Sequence, residues 1–188
     1  MGLAALCFVT ACSKTNEHSG TPMTSASDAK KVFGLIDRLW TGKLKPLLVK
    51  KPRTYADMVI VDSTTNQKIV VNGTYSVNNH DYSSGSVYAS TTDLKVTFQH
   101  YQATELTLSG TIRFYEGDET RTDYGVSSRH SSRSYSTTDT TAAAAVAVLF
   151  NSNGKAIDDA ILFSGTKSLA HFGVTMTGKG GEKYQFSY

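Results

Sequence analysis

The side chains of this chain that could perform acid–base or metal chemistry are scattered along it. The five histidines are His18, His80, His100, His130 and His171, and no two have the spacing of a zinc-binding helix or knuckle. Acidic residues fall mainly at predicted turns, where adjacent carboxylates do not converge across a cleft as glycoside hydrolysis requires. The sequence therefore predicts no metal site and no cofactor, and it favours a protein that is not an enzyme.

His100 is the histidine whose position is most suggestive. In a predicted strand Leu94, Val96, Phe98 and His100 share one face, so His100 is expected to point with Phe98 toward the apolar side. Phe114 has the same parity in the next strand. We interpret His100, Phe98 and Phe114 as candidate ligand-facing residues. The alternatives are an inert, hydrogen-bonded histidine at a strand end, or the base of a hydrolase working with a nearby carboxylate.

The strongest signal in the sequence lies at its start. An apolar run over residues 3–11 ends at Cys12 and is followed by a polar stretch. The run is too short to cross a bilayer as a helix, which takes about 20 residues, and it is typical of the apolar part of a signal peptide. Val9-Thr10-Ala11-Cys12 resembles the lipobox of bacterial lipoproteins.

This resemblance implies that residues 1–11 are removed and that Cys12 carries the lipid that anchors the protein to a membrane. Ser13 after the cysteine favours, by the same resemblance, the outer membrane of a bacterial cell envelope. No basic residue precedes Leu3, which departs from the class and leads us to expect a translation start upstream. The alternative is that the run is an apolar strand or helix turn of the folded domain and that Cys12 is an ordinary thiol. Nucleic acid is not an expected partner of an exported protein without a basic, aromatic stacking face.

Behind the cysteine the sequence predicts a flexible tether over residues 12–27 and one β-rich domain over residues 28–188. Ser27 and Asp28 offer a helix N-cap and an acidic first turn. Apolar residues then recur at helical spacing, which predicts one amphipathic helix from Asp28 to Trp40, stopped by Gly42 and Pro46. We expect its apolar stripe to pack on a sheet. The alternative places the helix flat on a bilayer.

From Tyr55 onward the apolar period changes from helical to two, and short turn-like links separate the segments. This pattern predicts a mainly β fold, an antiparallel meander whose curved sheet forms a half-barrel, a barrel or a sandwich. Gly73, Gly110 and Gly165 interrupt strand patterns and are expected to mark bends. The predicted strands are 55–61, 68–77, 86–89, 94–101, 105–115, 142–150, 157–163, 169–176 and 183–188. The Ser- and Thr-rich segment 127–141 is predicted to be a mobile loop or a long exposed hairpin.

A basic run stands out against a formal net charge of only +3. Its cations could contact anionic headgroups near the anchor, and a solvated loop is the equal alternative. Its residues are Lys43, Lys45, Lys50, Lys51 and Arg53. The chain also has ten tyrosines, several at outward strand positions, which suit either recognition or cross-strand packing.

Together these features favour a non-enzymatic cell-envelope lipoprotein whose curved sheet binds an apolar or amphipathic ligand, or an envelope protein partner. The order of anchor, tether, helix and antiparallel sheet looks like that of periplasmic half-barrel lipoproteins that handle lipidated cargo, in architecture only. The alternative function is a β-sandwich for surface adhesion or assembly. A hydrolase that uses His100 is the least favoured.

Overall fold

The fold is mainly β, with a single helical segment near the N-terminus, as the sequence predicts. The computed structural model describes residues 21–63, 65–137, 145–152, 155–168 and 170–188. The helical segment comprises α1 (Ala26–Leu39), a π-helical turn (Trp40–Leu44) and α2 (Lys45–Leu48). The strands are β1 (Arg53–Asp62), β2 (Gln67–Tyr82), β3 (Gly85–Ala103), β4 (Leu106–Asp123), β5 (Val126–Ser136), β6 (Val146–Ser152), β7 (Lys155–Ser168), β8 (His171–Thr177) and β9 (Lys183–Ser187).

All these strands pair antiparallel in one meandering sheet, as predicted from the short links between them. β5 and β6 lie along successive stretches of the same edge of β4, since β6 pairs with residues 106–109 and β5 with residues 113–123. Both also pair with β7. The pairings of β4, β5, β7 and β6 thus close a barrel core, which β1 to β3 extend on one side and β8 and β9 on the other.

The helix begins two residues earlier than the sequence predicts. Ser25, and not Ser27, is the N-cap, and its hydroxyl oxygen accepts a hydrogen bond from the Asp28 amide at 3.1 Å. The same hydroxyl donates to the Asp28 carboxylate at 2.7 Å. The cap pairs the Asp28 amide of the first turn and places a negative charge at the positive end of the helix dipole.

The predicted stop of the helix at Gly42 and Pro46 is wrong. Gly42 lies inside the π-helical turn, and Pro46 lies in the first turn of α2, where the missing amide hydrogen breaks no intrahelical bond. The helical segment therefore runs on to Leu48, whose carbonyl accepts a 2.5 Å hydrogen bond from the Tyr55 hydroxyl.

The apolar stripe of the helix packs on the concave face of the sheet, which is the packing that the sequence predicts. Trp40 stacks on Phe114 with ring centroids 4.3 Å apart and planes 6° apart. About two turns earlier in the helix, the Phe33 ring lies among five aromatic rings of the sheet and the C-terminus, those of Tyr135, Phe163, Phe172, Phe186 and Tyr188. Because these side chains are buried, the stripe is not available to a bilayer surface.

The chain before the helix is held by the sheet from Thr21 onward, so residues 21–27 of the predicted tether are not free. Thr21 forms a parallel bridge with Ile157 of β7. The amide of the buried Met23 donates to the Asp159 carboxylate at 2.9 Å, and its carbonyl accepts from the Tyr184 hydroxyl at 3.0 Å. The folded domain therefore begins at or before Thr21, and not at Asp28.

The three strand glycines predicted to mark bends all lie at close approaches. Gly73 and Gly110 have φ of +117° and +125°, a region that side chains with a Cβ rarely adopt. Gly165 has no such φ, but a Cβ there would lie 2.7 Å from the Phe33 ring. The backbone at Gly73 and Gly110 therefore adopts a conformation that favours glycine, and the backbone at Gly165 admits the helix against it.

We expect Gly73→Ala to lower the free energy of unfolding by about 2 kcal/mol or more, since the new methyl group combines an unfavourable φ with a contact 2.0 Å from the Asp93 carbonyl oxygen. Gly42→Ala is the control, because nothing lies within 4 Å of its added Cβ and alanine favours helix by up to about 1 kcal/mol. Urea unfolding measures both. Equal stability of the two variants would contradict the requirement for glycine at position 73.

Candidate functional site

A pocket of about 910 Å³ lies between the helix and two turns of the sheet. The turns are those that join β1 to β2 and β3 to β4. Its volume is in the range of small-molecule sites, which is roughly 300–1,000 Å³. The lining residues are Leu35, Arg38, Leu39, Lys43, Thr65, Gln67, Gln102, Ala103, Thr104, Glu105 and Leu106.

The lining divides into an aliphatic floor and a polar rim. Leu35, Leu39 and Leu106 belong to the buried core, and Ala103 packs against it. Charged and amide side chains surround this floor. An arrangement of this kind accepts a molecule that has an apolar part and a hydrogen-bonding part, because each finds a matching surface.

One wall of the pocket is held by a cluster around the buried carboxylate of Asp62. Its Oδ2 accepts hydrogen bonds from the Tyr101 hydroxyl at 2.8 Å and from the Thr65 hydroxyl at 2.8 Å. The Lys43 Nζ lies 2.5 Å from the same oxygen and 5.6 Å from the centre of the Tyr101 ring. A buried carboxylate needs such donors to offset its lost hydration, so the cluster ties the helix to the ends of β1 and β3.

The pKa values of two donors in this cluster, the Tyr101 hydroxyl and the Lys43 ammonium group, are raised in the folded protein. Burial raises the pKa of Tyr101, and its hydrogen bond to Asp62 raises it further. The hydrogen bond to Asp62 raises the pKa of Lys43 against the opposing effect of burial. At neutral pH the wall therefore presents a neutral phenol and a charged ammonium group, both held by the Asp62 carboxylate.

Strand parity predicts His100 on the apolar face and Tyr101 on the outer face, and both predictions are wrong, because Tyr101 is buried and His100 is exposed. The pairing of β3 with β4 shifts register between Phe98 and Tyr101, and His100 adopts a φ of +49°. This bulge turns His100 outward, where it is exposed and its Nδ1 lies 3.4 Å from the Ser109 hydroxyl. Simple strand parity cannot predict the extra residue, and a positive φ at histidine leaves no sequence signal.

The other two candidate ligand-facing residues lie in the packed core. Phe98 is 1% exposed and packs against Tyr101, with ring centroids 5.6 Å apart. Phe114 is 0% exposed and is covered by Trp40. Neither of them lines the pocket, because the helix fills the part of the sheet that they face.

The basic run predicted to contact headgroups divides into two groups. Lys43 and Lys45 are half-buried and form ion pairs with the buried carboxylates of Asp62 and Glu116. Lys50, Lys51 and Arg53 are exposed at the start of β1, and the Arg53 guanidinium lies over the Tyr55 ring at 4.9 Å. Only this second group presents its charge outward.

A second buried carboxylate, Glu116, contacts the same helical segment through Trp40 and Lys45. It accepts from the Trp40 indole at 3.0 Å and from the Arg133 Nε at 2.7 Å, and it pairs with Lys45. Arg133 also lies 3.9 Å from the Asp37 carboxylate, which accepts from the Tyr135 hydroxyl at 3.0 Å. These groups are engaged with one another, so this network is structural.

The pocket lies at the end of the sheet where the chain enters the fold. Five residues form a row across the sheet at this end, and each residue pairs with the next one in the row. Its members are Ala103, Leu106, Phe150, Ile157 and Thr21. Ala103 and Leu106 line the pocket, and Thr21 is the first described residue of the chain. Pocket and chain entry therefore share one end of the molecule.

Comparison with known proteins gives no matching family model, no matching curated protein and no matching solved structure.

Cys12 and the lipobox lie outside the described residues. In the part of the chain that the structure describes, no three His, Cys, Asp or Glu residues are grouped so that they could hold a metal ion. No helix within the described ranges is long and apolar enough to cross a membrane.

The raised pKa of Tyr101 predicts a loss of stability at alkaline pH. A group whose pKa is higher in the folded state stabilises the fold fully below its unfolded pKa of about 10, and this contribution disappears as pH rises through the folded pKa. We expect Tyr101→Phe to be less stable at pH 8 but to lose stability less steeply above pH 10, by up to about 1.4 kcal/mol per pH unit.

Urea unfolding between pH 8 and pH 11.5 measures these slopes. Tyr124→Phe, which alters an 87% exposed ring at a hairpin turn, is the control for a tyrosine outside the cluster. An alkaline slope for Tyr101→Phe as steep as that of the unaltered protein would contradict the role assigned to the hydroxyl.

Proposed function

We propose that this protein is a membrane-anchored binding protein of the bacterial cell envelope that holds a single-chain amphiphile in the pocket beside the helix. The observation that carries the proposal is the pocket itself, with its aliphatic floor below a polar rim. The site differs from the one expected from the sequence, because the concave face of the sheet is filled by the helix.

The polar rim favours a headgroup that carries both signs of charge. Arg38 and Glu105 supply one charge of each sign, and the charge of Lys43 is offset by Asp62. The side-chain amides of Gln67 and Gln102 add donors and acceptors, although the Gln67 side-chain oxygen already accepts from the backbone N–H of Gln102 at 2.9 Å. A zwitterionic lysophospholipid, such as lysophosphatidylethanolamine, matches this lining.

The position of the pocket supports a ligand that comes from the anchoring membrane. If Cys12 is acylated, residues 13–20 connect the lipid to Thr21, and these eight residues span at most about 29 Å. Because the pocket and Thr21 share one end of the sheet, the short connection keeps the pocket near the bilayer. An amphiphile that leaves the membrane then has a short path to it.

Binding of lysophosphatidylethanolamine tests the proposal directly, by isothermal titration below the micelle concentration of the lipid. We expect Ala103→Trp, which puts a large side chain into the pocket, to weaken binding at least about tenfold. Ala89→Trp, on a strand far from the pocket, is the matched control and should bind like the unaltered protein. Melting curves of both variants check that they are folded.

The headgroup assignment has its own test. We expect Arg38→Gln to weaken lysophosphatidylethanolamine binding by about fivefold, since one charge-assisted hydrogen bond is lost, and to leave binding of an uncharged monoacylglycerol unchanged. Failure of both lipids to bind, or equal binding by the unaltered protein and Ala103→Trp, would overturn the proposed function.

The anchor is tested separately in bacteria that express the full chain. We expect radiolabelled palmitate to be incorporated and the protein to sediment with the outer membrane, and Cys12→Ser to abolish both. Cys7→Ser is the control, because this thiol lies in the segment expected to be removed. Unlabelled protein recovered in the cytosol would exclude the lipoprotein assignment.

A further inference from the structure

The sheet continues beyond the part that the helix covers, as a projection that we call the finger, residues 76–91 and 117–132. It consists of the distal parts of β2, β3, β4 and β5, in register from Tyr82 and Gly85 to Asp123 and Val126. Residues 126–132 of β5 are exposed throughout, and Val126 is 73% exposed. Over about seven residues the finger extends roughly 23 Å past the core.

One edge of the finger is open along β5. β7 pairs with β5 only at residues 134–136, and within the described ranges no strand pairs with the outer edge of residues 126–132. An open edge presents unpaired amides and carbonyls to any strand that can approach it.

The two edges of the finger differ in how they are protected. Within the described ranges, the outer edge of β2 has no partner strand beyond Tyr75, which pairs with Arg53 at the start of β1. Lys50, Lys51 and Pro52 precede Arg53 in the chain. Lysine and proline are the residues that commonly block edge pairing. Residues 126–132 contain neither, and none of them has a positive φ. Four of these seven residues are serines, whose small side chains let another backbone approach.

We propose that the β5 edge pairs antiparallel with the β5 edge of a second copy of this chain, around a two-fold axis at Ser128. Two conflicts exclude the neighbouring register centred on Arg129. A register centred on Arg129 would place two arginines directly opposite each other, and it would bring the exposed turn at Tyr124 against Ser134, which already pairs with Thr166 of β7. The register centred on Ser128 avoids both conflicts.

In this register Ser128 faces Ser128 of the second copy, Ser127 faces Arg129, and Val126 faces His130. No like charges lie directly opposite, and Arg129 keeps its 3.0 Å bond to Asp118 of its own chain. Five residues per copy overlap, so the buried area is small and the dimer in solution is weak. Many copies on facing surfaces would strengthen it by avidity.

The two-fold axis makes the copies point in opposite directions. Leu106 lies at the chain-entry end of β4, and Arg121 pairs with Ser128, the residue on the two-fold axis. The 15 residues of β4 between these two positions span about 50 Å in each copy. The two chain-entry ends then lie about 100 Å apart and face away from each other. A copy held at one surface therefore binds a copy held at the opposite surface, and not its neighbour.

Single-cysteine variants of the full chain carrying Cys7→Ser and Cys12→Ser test the register. Opposed residues of an antiparallel pair have Cα atoms within about 5.5 Å, which a disulfide can join. We expect Ser128→Cys to form covalent dimers under mild oxidation at least about five times faster than His130→Cys, whose two copies would lie about 13 Å apart.

The mixed pair supplies the second measurement. Val126→Cys with His130→Cys should give the heterodimer faster than either variant gives its own homodimer, because the two positions face each other. Equal rates for all variants, or no dimer of Ser128→Cys at high protein concentration, would overturn the proposal. Both results are independent of whether the pocket binds a lipid.

Discussion

The stacking of Trp40 on Phe114 is the contact on which the rest of this structure depends. It closes the concave face of a sheet that would otherwise expose a row of apolar side chains to water. The indole also donates to Glu116, and that buried carboxylate holds Lys45 of the helix and Arg133 of β5. One aromatic side chain thus joins the apolar packing to the ionic network, so the position of the helix along the sheet is determined by both.

Because the helix covers the concave face of the sheet, the two proposed activities lie at the two ends of the sheet. A half-barrel with an empty interior would hold a ligand against residues such as Phe98 and Phe114, but here those residues are packed under the helix. The end at which the chain enters has the pocket and the Asp62 cluster. The opposite end has the finger, with its open β5 edge and its exposed turn at Tyr124. The proposed ligand binding and the proposed self-association therefore belong to opposite ends of the sheet.

The sequence predicts the elements of this fold well because their signals are local. Helical spacing of apolar residues identifies the helix, and alternation identifies the strands, including Leu94, Val96 and Phe98 on the inner face. What it misses depends on contacts between distant segments. The bulge before Tyr101 reverses the expected parity of His100, and the bridge of Thr21 to Ile157 captures a segment whose composition resembles a tether. The pocket is missed for the same reason, since its lining comes from two turns and a helix that only the tertiary fold brings together.

The central claim is that the helix is a permanent part of the core and that a ligand binds beside it without displacing it. Hydrogen exchange of the backbone amides of residues 32–40, with and without saturating lysophosphatidylethanolamine, tests this claim most directly. The account predicts that these amides exchange only through global unfolding in the free protein and that the ligand slows them or leaves them unchanged. Faster exchange of these amides in the presence of the lipid would mean that the ligand displaces the helix, and it would contradict the account.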